Sequence, residues 1–485
     1  MRKLICIAAA LAAGWLVAAQ EGEFRARLSE SSAPNVSSET VDLTILQSTD
    51  IHGSPAVARF LPWIAAERQK EPELLLVDCG DLCNGTFETY CDGGASMVSC
   101  LNAAKYDVWV PGNHEFRIGN ANFRKDLSLF TSGSVLAANL AFDDPVRKPF
   151  VPVLPWKMFE RKGLKIAVIG MASHRYDDWF DAALYKGLRL LSPVDTFREL
   201  LPQVRAAKPD VIVVAAHSDL LAVAETKTGN DEWIPSKDVY VKYPDIALLL
   251  AGHSHRKVPA TEYAPGQWIV QPADNGGSMA KVVITFDTMA RKVVTVKSEF
   301  VESKTLEALP EAEMPKPWRE NNARAAKLAK TPVVKIPKEG LPATFVAEAI
   351  RKAAGADAAI TSSAYRLKPN ADEVTEKFFY QVAKPQGITV LTLTPAELKT
   401  VLDEQGKLDG RFSGLDLANL PDRPVKVAFE SYDIAGCDGE RMKLRAISRS
   451  GVPRQDLDLN TREAIRSALT VAAPLSGCGC GDFSL

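Results

Sequence analysis

The sequence predicts a protein built from two α/β domains. Between residues 41 and 302, short apolar runs rich in Val, Ile and Leu alternate with helix-like segments, which is typical of a layered α/β domain. The composition shifts to Glu, Lys, Ala and Pro over residues 303–340, and a second α/β pattern begins at residue 341. We therefore predict a large N-terminal domain over 41–302, a partly helical connector over 303–340, and a smaller α/β domain over 341–485.

Six apolar runs in the N-terminal domain predict strands that are buried on both faces, as in parallel sheets covered by helices. The second domain contains a predicted helix over 344–354 and a predicted strand over 388–393. The six N-terminal runs begin at residues 43, 73, 107, 165, 210 and 245.

The first 19 residues predict an export signal. Arg2 and Lys3 precede an apolar stretch that ends near the small residues Val17 and Ala19, which is typical of a secretory signal peptide. The stretch is shorter than the roughly 20 apolar residues of a membrane-spanning helix. We expect a soluble exported protein, periplasmic or extracellular, without stable membrane insertion after signal cleavage. A retained N-terminal anchor is the alternative interpretation.

The composition is that of an ordinary globular protein, with a net charge of −2 and 46% hydrophobic residues. No cluster or surplus of Lys and Arg points to a nucleic-acid polymer as partner. The expected partner is a small molecule, and the sequence carries no signal for an oligomeric state.

Seven cysteines follow the predicted signal, and the first four are crowded into 22 residues. In an oxidising compartment this crowding predicts one or two local disulfides. A structural zinc site is the alternative, although the spacing matches no zinc pattern. The four cysteines are Cys79, Cys83, Cys91 and Cys100.

Polar side chains follow five of the predicted strands. Ligands in open α/β sheets bind at the carboxyl ends of strands, so we expect these side chains to converge at one edge of a sheet. They are, in chain order, Asp50, His52, Asp81, Asn113, His114, His217, His253 and His255.

The histidines favour a metal site. The chain has six, and only His174 lies outside these strand ends. A single His at a strand end is more often structural, but five together with two Asp and one Asn favour metal binding. Imidazole, carboxylate and amide ligands suit Mn, Fe, Zn or Co. Eight such groups are enough for two divalent ions, which need a bridging ligand such as a carboxylate.

The ordered motifs D-x-H-G, G-D, G-N-H-E, a single His and G-H-x-H resemble those of the calcineurin-like metallophosphoesterases. The continuation G-N-H-E-F resembles their 5′-nucleotidase branch. The resemblance covers about residues 41 to 300. It implies a four-layer α/β/β/α catalytic domain and hydrolysis of a phosphate ester, with a nucleotide as the expected substrate.

The resemblance also implies a role for each polar residue. One ion would be held by Asp50, His52 and His255, and the other by Asn113, His217 and His253, with Asp81 bridging both. A water between the ions would attack phosphorus in line. His114 would stabilise the transition state or protonate the leaving group. Glu115 is expected to be a first-turn helix carboxylate, favoured by the helix dipole and without a catalytic role.

Arg117 departs from the family pattern. The 5′-nucleotidase branch carries an Asp at this position, where it partners the catalytic His, and an Arg would instead lower the pKa of that His. Either another acid such as Asp219 or Asp274 takes the place of this Asp, or turnover is slower. Alternatively, Arg117 points to solvent.

Residues 341–485 resemble the 5′-nucleotidase C-terminal domain. The blocks L-T-P-A-E-L-K-T-V-L-D at 393, R-F-S-G at 411 and S-Y-D-I-A-G-C-D-G at 431 follow the family order. The resemblance implies that Tyr432 stacks on a nucleobase, with Asp438 in the same block, and that Arg366 reaches a phosphate or carboxylate. The second stacking aromatic of the family is missing from residues 383–386. A core Tyr432 and a surface Arg366 are the alternative.

These observations predict an exported, two-metal phosphoesterase that acts on nucleotides or other phosphomonoesters. One alternative is a related hydrolase of cyclic nucleotides or of thiosulfate-type sulfur esters. A non-catalytic binding protein with the same fold is a further alternative, but it would be expected to have lost some of the predicted ligands.

Overall fold

The computed structural model describes residues 39–117, 120–142, 153–172, 187–218, 240–337, 339–365, 367–368, 373–382, 386–431 and 452–472. The predicted signal peptide lies outside these ranges, as do Cys437, Cys478 and Cys480. Within the described ranges, no helix combines the length and the apolar character needed to cross a membrane.

The N-terminal part consists of fourteen strands and six helices among the described residues. The strands are β1 (Thr40–Ser48), β2 (Leu75–Asp78), β3 (Val108–Trp109), β4 (Ser134–Val135), β5 (Leu140–Phe142), β6 (Trp156–Arg161), β7 (Leu164–Met171), β8 (Leu188–Leu190), β9 (Val211–Ala216), β10 (Ile246–Leu250), β11 (Val258–Ala264), β12 (Gln267–Gln271), β13 (Ser278–Asp287) and β14 (Lys292–Glu302). The helices are α1 (Val57–Lys70), α2 (Phe87–Asp92), α3 (Ala95–Ala104), α4 (Asn113–Arg117), α5 (Asn120–Leu129) and α6 (Pro193–Ala206).

Two six-stranded sheets form the centre of this part. Their strand orders are β14-β13-β1-β2-β3-β4 and β11-β12-β10-β9-β7-β6. The neighbours from β1 to β4 are parallel, as are β12, β10, β9 and β7, and antiparallel strands extend the sheets. β5 and β8 form a separate two-stranded ribbon.

The sheets pack face to face, and helices cover their outer faces. Ile45 and Val77 of the first sheet share a buried cluster with Val213 and Leu248 of the second. A second cluster joins α1, α3 and α5 to the first sheet, and a third joins α6 to the second sheet. The arrangement is a four-layer α/β/β/α sandwich, so the predicted fold of the N-terminal domain is confirmed.

All six predicted N-terminal runs are strands: β1, β2, β3, β7, β9 and β10. Every residue of β2, β9 and β10 is buried, as expected for strands covered on both sides. One expectation is wrong. The strands that end at the polar residues do not belong to one sheet, because β1, β2 and β3 lie in the first sheet and β9 and β10 in the second. The polar residues therefore meet across the ends of two facing sheets.

The C-terminal part is also α/β. Its elements, with the connector helix, are α7 (Lys316–Leu328), β15 (Pro332–Lys335), α8 (Phe345–Ala353), β16 (Ala358–Ile360), β17 (Glu373–Thr375), α9 (Glu376–Val382), β18 (Gly387–Leu393), α10 (Pro395–Gln405), β19 (Phe412–Ser413), β20 (Val425–Glu430), β21 (Arg454–Asn460) and α11 (Thr461–Ala472). The five-stranded sheet has the order β19-β16-β20-β18-β21, with α8 and α11 packed on one face and α10 on the other. The predicted helix at 344–354 and strand at 388–393 correspond to α8 and β18.

The connector is partly helical, as predicted, because α7 lies within residues 303–340. Met314 and Trp318 pack against the helical layer of the first sheet. The connector therefore lies on the N-terminal part. The domain boundaries at 302 and 340 remain predictions.

The predicted local disulfides are wrong for the first four cysteines, all of which are free and buried. Cys79 lies between the two sheets, Cys83 and Cys100 lie under the helical layer, and Cys91 packs against α7. The thiols instead fill apolar space, and the Cys83 Sγ also donates to the Gly94 carbonyl at 3.7 Å.

Asp126 of α5 is a buried carboxyl group with no hydrogen-bond partner for either oxygen among the described residues. Burial, opposed by nearby Lys125, raises the pKa of Asp126 well above its usual value. The folded state therefore holds this proton more tightly than the unfolded state, and stability falls as pH rises from about 4 towards the folded-state pKa, by up to about 1.4 kcal/mol per pH unit.

Replacing Asp126 with Asn should remove the loss of stability with rising pH, because an amide of the same shape does not ionise. We expect the stability of Asp126→Asn relative to wild type to increase between pH 5 and pH 7. Urea unfolding of both proteins at the two pH values measures this difference. If the difference in stability between Asp126→Asn and wild type did not change with pH, burial would not raise the pKa of Asp126.

Candidate metal centre

The predicted ligands lie on turns in an unusual backbone conformation. Five of the seven have a positive φ, between 51° and 74°. Residues other than glycine adopt this left-handed region at an energetic cost, and such residues concentrate at functional sites. The five are Asp50, His52, Asp81, His253 and His255.

Two of the ligand loops touch each other closely. A Cβ on Gly80 would lie 2.6 Å from the Gly112 backbone nitrogen, and a Cβ on Gly112 would lie 2.2 Å from the Asp81 Oδ1. Both positions therefore require glycine. The absence of these two side chains lets the loop after β2 approach the loop after β3, which places Asp81 next to Asn113.

One group of candidate ligands is formed by Asp50, His52 and His255. The His255 Nε2 lies 3.0 Å from the His52 Nε2 and 3.3 Å from the Asp50 Oδ1. Asp50 is fully buried, and its carboxylate accepts hydrogen bonds from the Thr49 hydroxyl and the His253 backbone N–H. These bonds fix the carboxylate towards the two imidazoles.

A second group is formed by Asp81, His217 and His253, with the Asn113 amide among them. The Asn113 Oδ1 lies 3.1 Å from the His217 Nε2 and 2.9 Å from the His253 Nδ1. The Asp81 Oδ2 lies 3.2 Å from the His217 Nε2. The amide oxygen and the carboxylate oxygen therefore face the same imidazole nitrogen.

Asp81 stands between the two groups. Its Oδ2 lies 3.9 Å from the His52 Nε2, in addition to its contact with His217. The same oxygen lies 3.9 Å from the His114 Nε2, while the Asp81 Oδ1 accepts from the His114 backbone N–H at 2.7 Å. Every residue predicted as a metal ligand is thus brought together, and His114 lies beside them.

The donor set fits a cation. The His217 Nδ1 lies 2.7 Å from the Cys79 carbonyl, which can only accept, so the ring proton belongs on Nδ1. The Nε2 lone pair then faces two acceptor oxygens, of Asn113 and Asp81. Three lone pairs facing one another repel unless a positive charge lies among them. A divalent ion at this position satisfies all three.

The electrostatics of the buried groups also call for a positive charge at this position. Without an ion a second proton on the ring would supply that charge: burial opposes a charge on His217, but the carboxylates of Asp81 and Asp50 raise its pKa to about 10. Burial alone would raise the pKa of Asp81, but His217 and His114 hold it well below its usual value. The cluster therefore has a strongly negative potential that favours cations.

His114 has a backbone partner where the family pattern has an acid. Its Nδ1 lies 2.9 Å from the carbonyl oxygen of Asn84, a residue with φ of 58°. Burial, together with the charges of His52 and Arg117, lowers the pKa of His114 to about 4, although Asp81 opposes the shift. The Asn84 carbonyl orients the ring without adding a negative charge.

Asp274, which the sequence suggested as a substitute partner for His114, contacts a different histidine. The Asp274 Oδ2 lies 3.2 Å from the His255 Nδ1. Asp219 lies outside the described residues. Arg117, for which a solvent-facing position was one alternative, is half-buried.

Glu115 is more than a first-turn helix carboxylate. It lies in the first turn of α4 as expected, but it is fully buried, and its carboxylate accepts hydrogen bonds from three backbone N–H groups. The donors are those of Asp81 at 2.9 Å, Gly112 at 2.6 Å and Cys83 at 3.1 Å. Glu115 therefore ties the Asp81 loop to the Asn113 loop, and the helix-dipole interpretation is incomplete.

Of the predicted substrate-binding residues, Arg366, Tyr432 and Asp438 all lie outside the described residues. Their neighbourhood is partly described. Glu430, at the end of β20, is fully buried and accepts from the Ser362 and Tyr365 hydroxyls, both at 2.6 Å. The loop before Arg366 and the strand before Tyr432 are therefore joined through one carboxylate.

Comparison with known protein families decides the identity of the N-terminal part. Residues 43–257 match the calcineurin-like phosphoesterases. These residues belong to that family. The five ligand-bearing turns described above all fall within the matched region.

Curated proteins with similar sequences include two whose names state an action on nucleotides. A 2′,3′-cyclic-nucleotide 2′-phosphodiesterase/3′-nucleotidase of Salmonella typhimurium is 27% identical over 261 residues, covering 48% of this chain and 39% of the relative. The trifunctional nucleotide phosphoesterase of Bacillus subtilis is 26% identical over 266 residues, covering 48% of this chain and 18% of the relative. This chain thus matches less than half the length of either protein.

Similarity of fold to solved structures covers both the N-terminal and the C-terminal parts of the chain. A Staphylococcus aureus protein assigned as a 5′-nucleotidase superposes with a TM-score of 0.67 at 17% identity, covering 89% of this chain and 97% of that structure. The calcineurin-like part and the C-terminal α/β part therefore occur together in a known architecture.

Proposed function

We propose that this protein hydrolyses phosphate esters of nucleotides with two divalent metal ions. The observation that carries the proposal is the position of Asp81 between two groups of ligand side chains that come from the ends of two facing sheets. Membership of residues 43–257 in the calcineurin-like phosphoesterases and the nucleotide-acting relatives support it.

Each group of side chains would hold one ion. Asp50, His52 and His255 form the first set, Asn113, His217 and His253 form the second, and Asp81 is shared. Divalent ions in such sites lower the pKa of water to near neutrality and neutralise charge on phosphoryl oxygens. The protein's own contribution is to fix these ligands rigidly, through the Thr49, Cys79 and Glu115 hydrogen bonds.

His114 would act on the phosphoryl or leaving group. Because its Nδ1 is held by the Asn84 carbonyl, its Nε2 is the nitrogen available to the site, 3.9 Å from the Asp81 Oδ2. We expect His114→Ala to lower kcat by about 10²- to 10⁴-fold, the usual contribution of such a group. Metal content should remain that of wild type, which elemental analysis measures. Loss of metal from His114→Ala would instead make His114 a ligand.

The proposal is tested, with Mn²⁺ supplied, by phosphate release from AMP and from glycerol phosphate and by conversion of 2′,3′-cyclic AMP to adenosine monophosphate, a ring opening that releases no phosphate. Preference for AMP that is lost in Tyr432→Ala would support base recognition by the C-terminal part. Preference for the cyclic compound would favour a cyclic-nucleotide phosphodiesterase, the activity named for the Salmonella relative. Hydrolysis of none of the three compounds would contradict the proposed function and favour a sulfur ester.

Export is part of the proposal and rests on the pattern of residues 1–19. Sequencing the N-terminus of the protein produced in its native host tests it. A mature chain that starts near residue 20 would support export, and an intact Met1 would contradict signal cleavage.

A further inference from the structure

Asp274 is a carboxylate outside the candidate ligand set that contacts one of its members. Its Oδ2 lies 3.2 Å from the Nδ1 of His255, while the Nε2 of the same ring faces Asp50 and His52. We propose that Asp274 is a positioning residue that accepts the Nδ1 proton of His255 and thereby controls retention of the ion at the Asp50/His52/His255 group. This inference rests on the proposed metal centre.

In this arrangement the Nδ1 of His255 faces a carboxylate while its Nε2 faces the ligand group. A carboxylate at Nδ1 favours the tautomer that carries its proton there, which leaves the Nε2 lone pair directed at the ligand group. The Cys79 carbonyl has the same function for His217, at 2.7 Å from that Nδ1. Both histidines are thus fixed through the ring nitrogen that faces away from the ligand group.

The turn that carries Asp274 is attached to the ligand group itself. The Asn275 backbone N–H donates to the Asp50 carbonyl at 2.7 Å, and the Asn275 side-chain amide donates to the Asp274 Oδ2 at 2.5 Å. These two bonds connect the turn that carries Asp274 to the turn that carries Asp50.

The two groups differ in their exposure to water. The His255 side chain is 45% exposed and that of Asp274 is 29% exposed, whereas the His217 side chain is fully buried. An ion at the Asp50/His52/His255 group is therefore the one more easily lost. The orientation of the His255 ring therefore depends more on its contact with Asp274 than the orientation of His217 depends on its own partner, because less packing surrounds His255.

The test is a calorimetric Mn²⁺ titration of metal-free wild type, Asp274→Ala and Asp274→Asn. Glu299→Gln is the matched control, because it removes one exposed carboxylate of β14 that belongs to neither ligand group. We expect wild type and Glu299→Gln to bind two ions equally well. In Asp274→Ala one binding step should weaken by about 10- to 100-fold while the other is unchanged. Asp274→Asn should lose less, since its amide oxygen can still accept the proton of His255.

A second measurement separates positioning from damage to the fold. The thermal midpoint of metal-free Asp274→Ala should equal that of wild type, because the side chain is partly exposed. If Asp274→Ala bound two ions with the same affinities as wild type, this inference would be overturned and the proposed function would be left intact. Equal weakening of both steps would also overturn it. Failure of wild type to bind Mn²⁺ or any related divalent ion would contradict the proposed function itself.

Discussion

Replacing Asp81 with alanine should abolish hydrolysis of phosphate esters, with a loss of kcat/KM of roughly a thousandfold or more. The Asp81 carboxylate lies close to imidazoles from both ligand sets, at 3.2 Å from His217 and 3.9 Å from His52. Its removal should weaken both ions, and a loss of about 4 kcal/mol in transition-state stabilisation corresponds to this factor.

Phosphate release and metal content should therefore fall together in Asp81→Ala. The control is Asp422→Ala, which removes an exposed carboxylate of the C-terminal part and should change neither quantity. Substantial turnover by Asp81→Ala with two ions bound would refute the shared-ligand assignment.

Replacing Glu115 with alanine should give the largest loss of stability among the residues around the site, about 3 kcal/mol or more in the free energy of unfolding. Three buried backbone N–H groups, of Asp81, Gly112 and Cys83, would lose their acceptor. Each unsatisfied buried donor costs about 1–3 kcal/mol. Glu115→Gln should lose less stability than Glu115→Ala but should remain less stable than wild type, because its amide N–H₂ would face some of the backbone N–H donors.

Urea unfolding of the metal-free proteins measures this effect without a contribution from bound ions. Glu299→Ala, which truncates an exposed glutamate of β14, should change stability by less than about 0.5 kcal/mol. Mn²⁺ binding by Glu115→Ala should weaken as well, because the Asp81 and Asn113 loops would separate. A variant with unchanged stability would mean that these three N–H groups find other partners.

The buried strands could be predicted from the sequence because their signal is local. Runs such as Val211–Ala216 and Ile246–Leu250 consist entirely of apolar residues, and a run of this length and composition fits a strand covered on both faces. The division of the strands between two sheets could not be predicted in the same way. It depends on pairings between distant segments, such as Thr40 with Asp287, that no local pattern encodes.

The candidate ligands were predictable because Asp, Asn and His followed strand ends in a recognisable order, and the structure brings them together. Their supporting groups were not. The Asn84 and Cys79 carbonyls belong to the main chain and leave no side-chain signal, although Asn84-Gly85 is a pair that favours left-handed turns. The burial of Glu115 cannot be predicted from its position, because a carboxylate in a first helical turn has the same local sequence whether it is exposed or buried.

The disulfide pattern could not be predicted from the spacing of the cysteines along the chain. Cys79, Cys83, Cys91 and Cys100 are close in sequence, but they occupy three different apolar clusters. Disulfide formation requires Cα atoms within about 7 Å and suitable directions of the side chains. Crowding along the chain does not supply either condition.

The most direct test of the two-metal phosphoesterase assignment is phosphate release from AMP as metal-free protein is titrated with Mn²⁺. We predict no release without metal and a rise in rate that levels off at two ions per chain. Release that is independent of added metal, or the absence of release at every ratio with Mn²⁺, Zn²⁺, Fe²⁺ and Co²⁺, would contradict it.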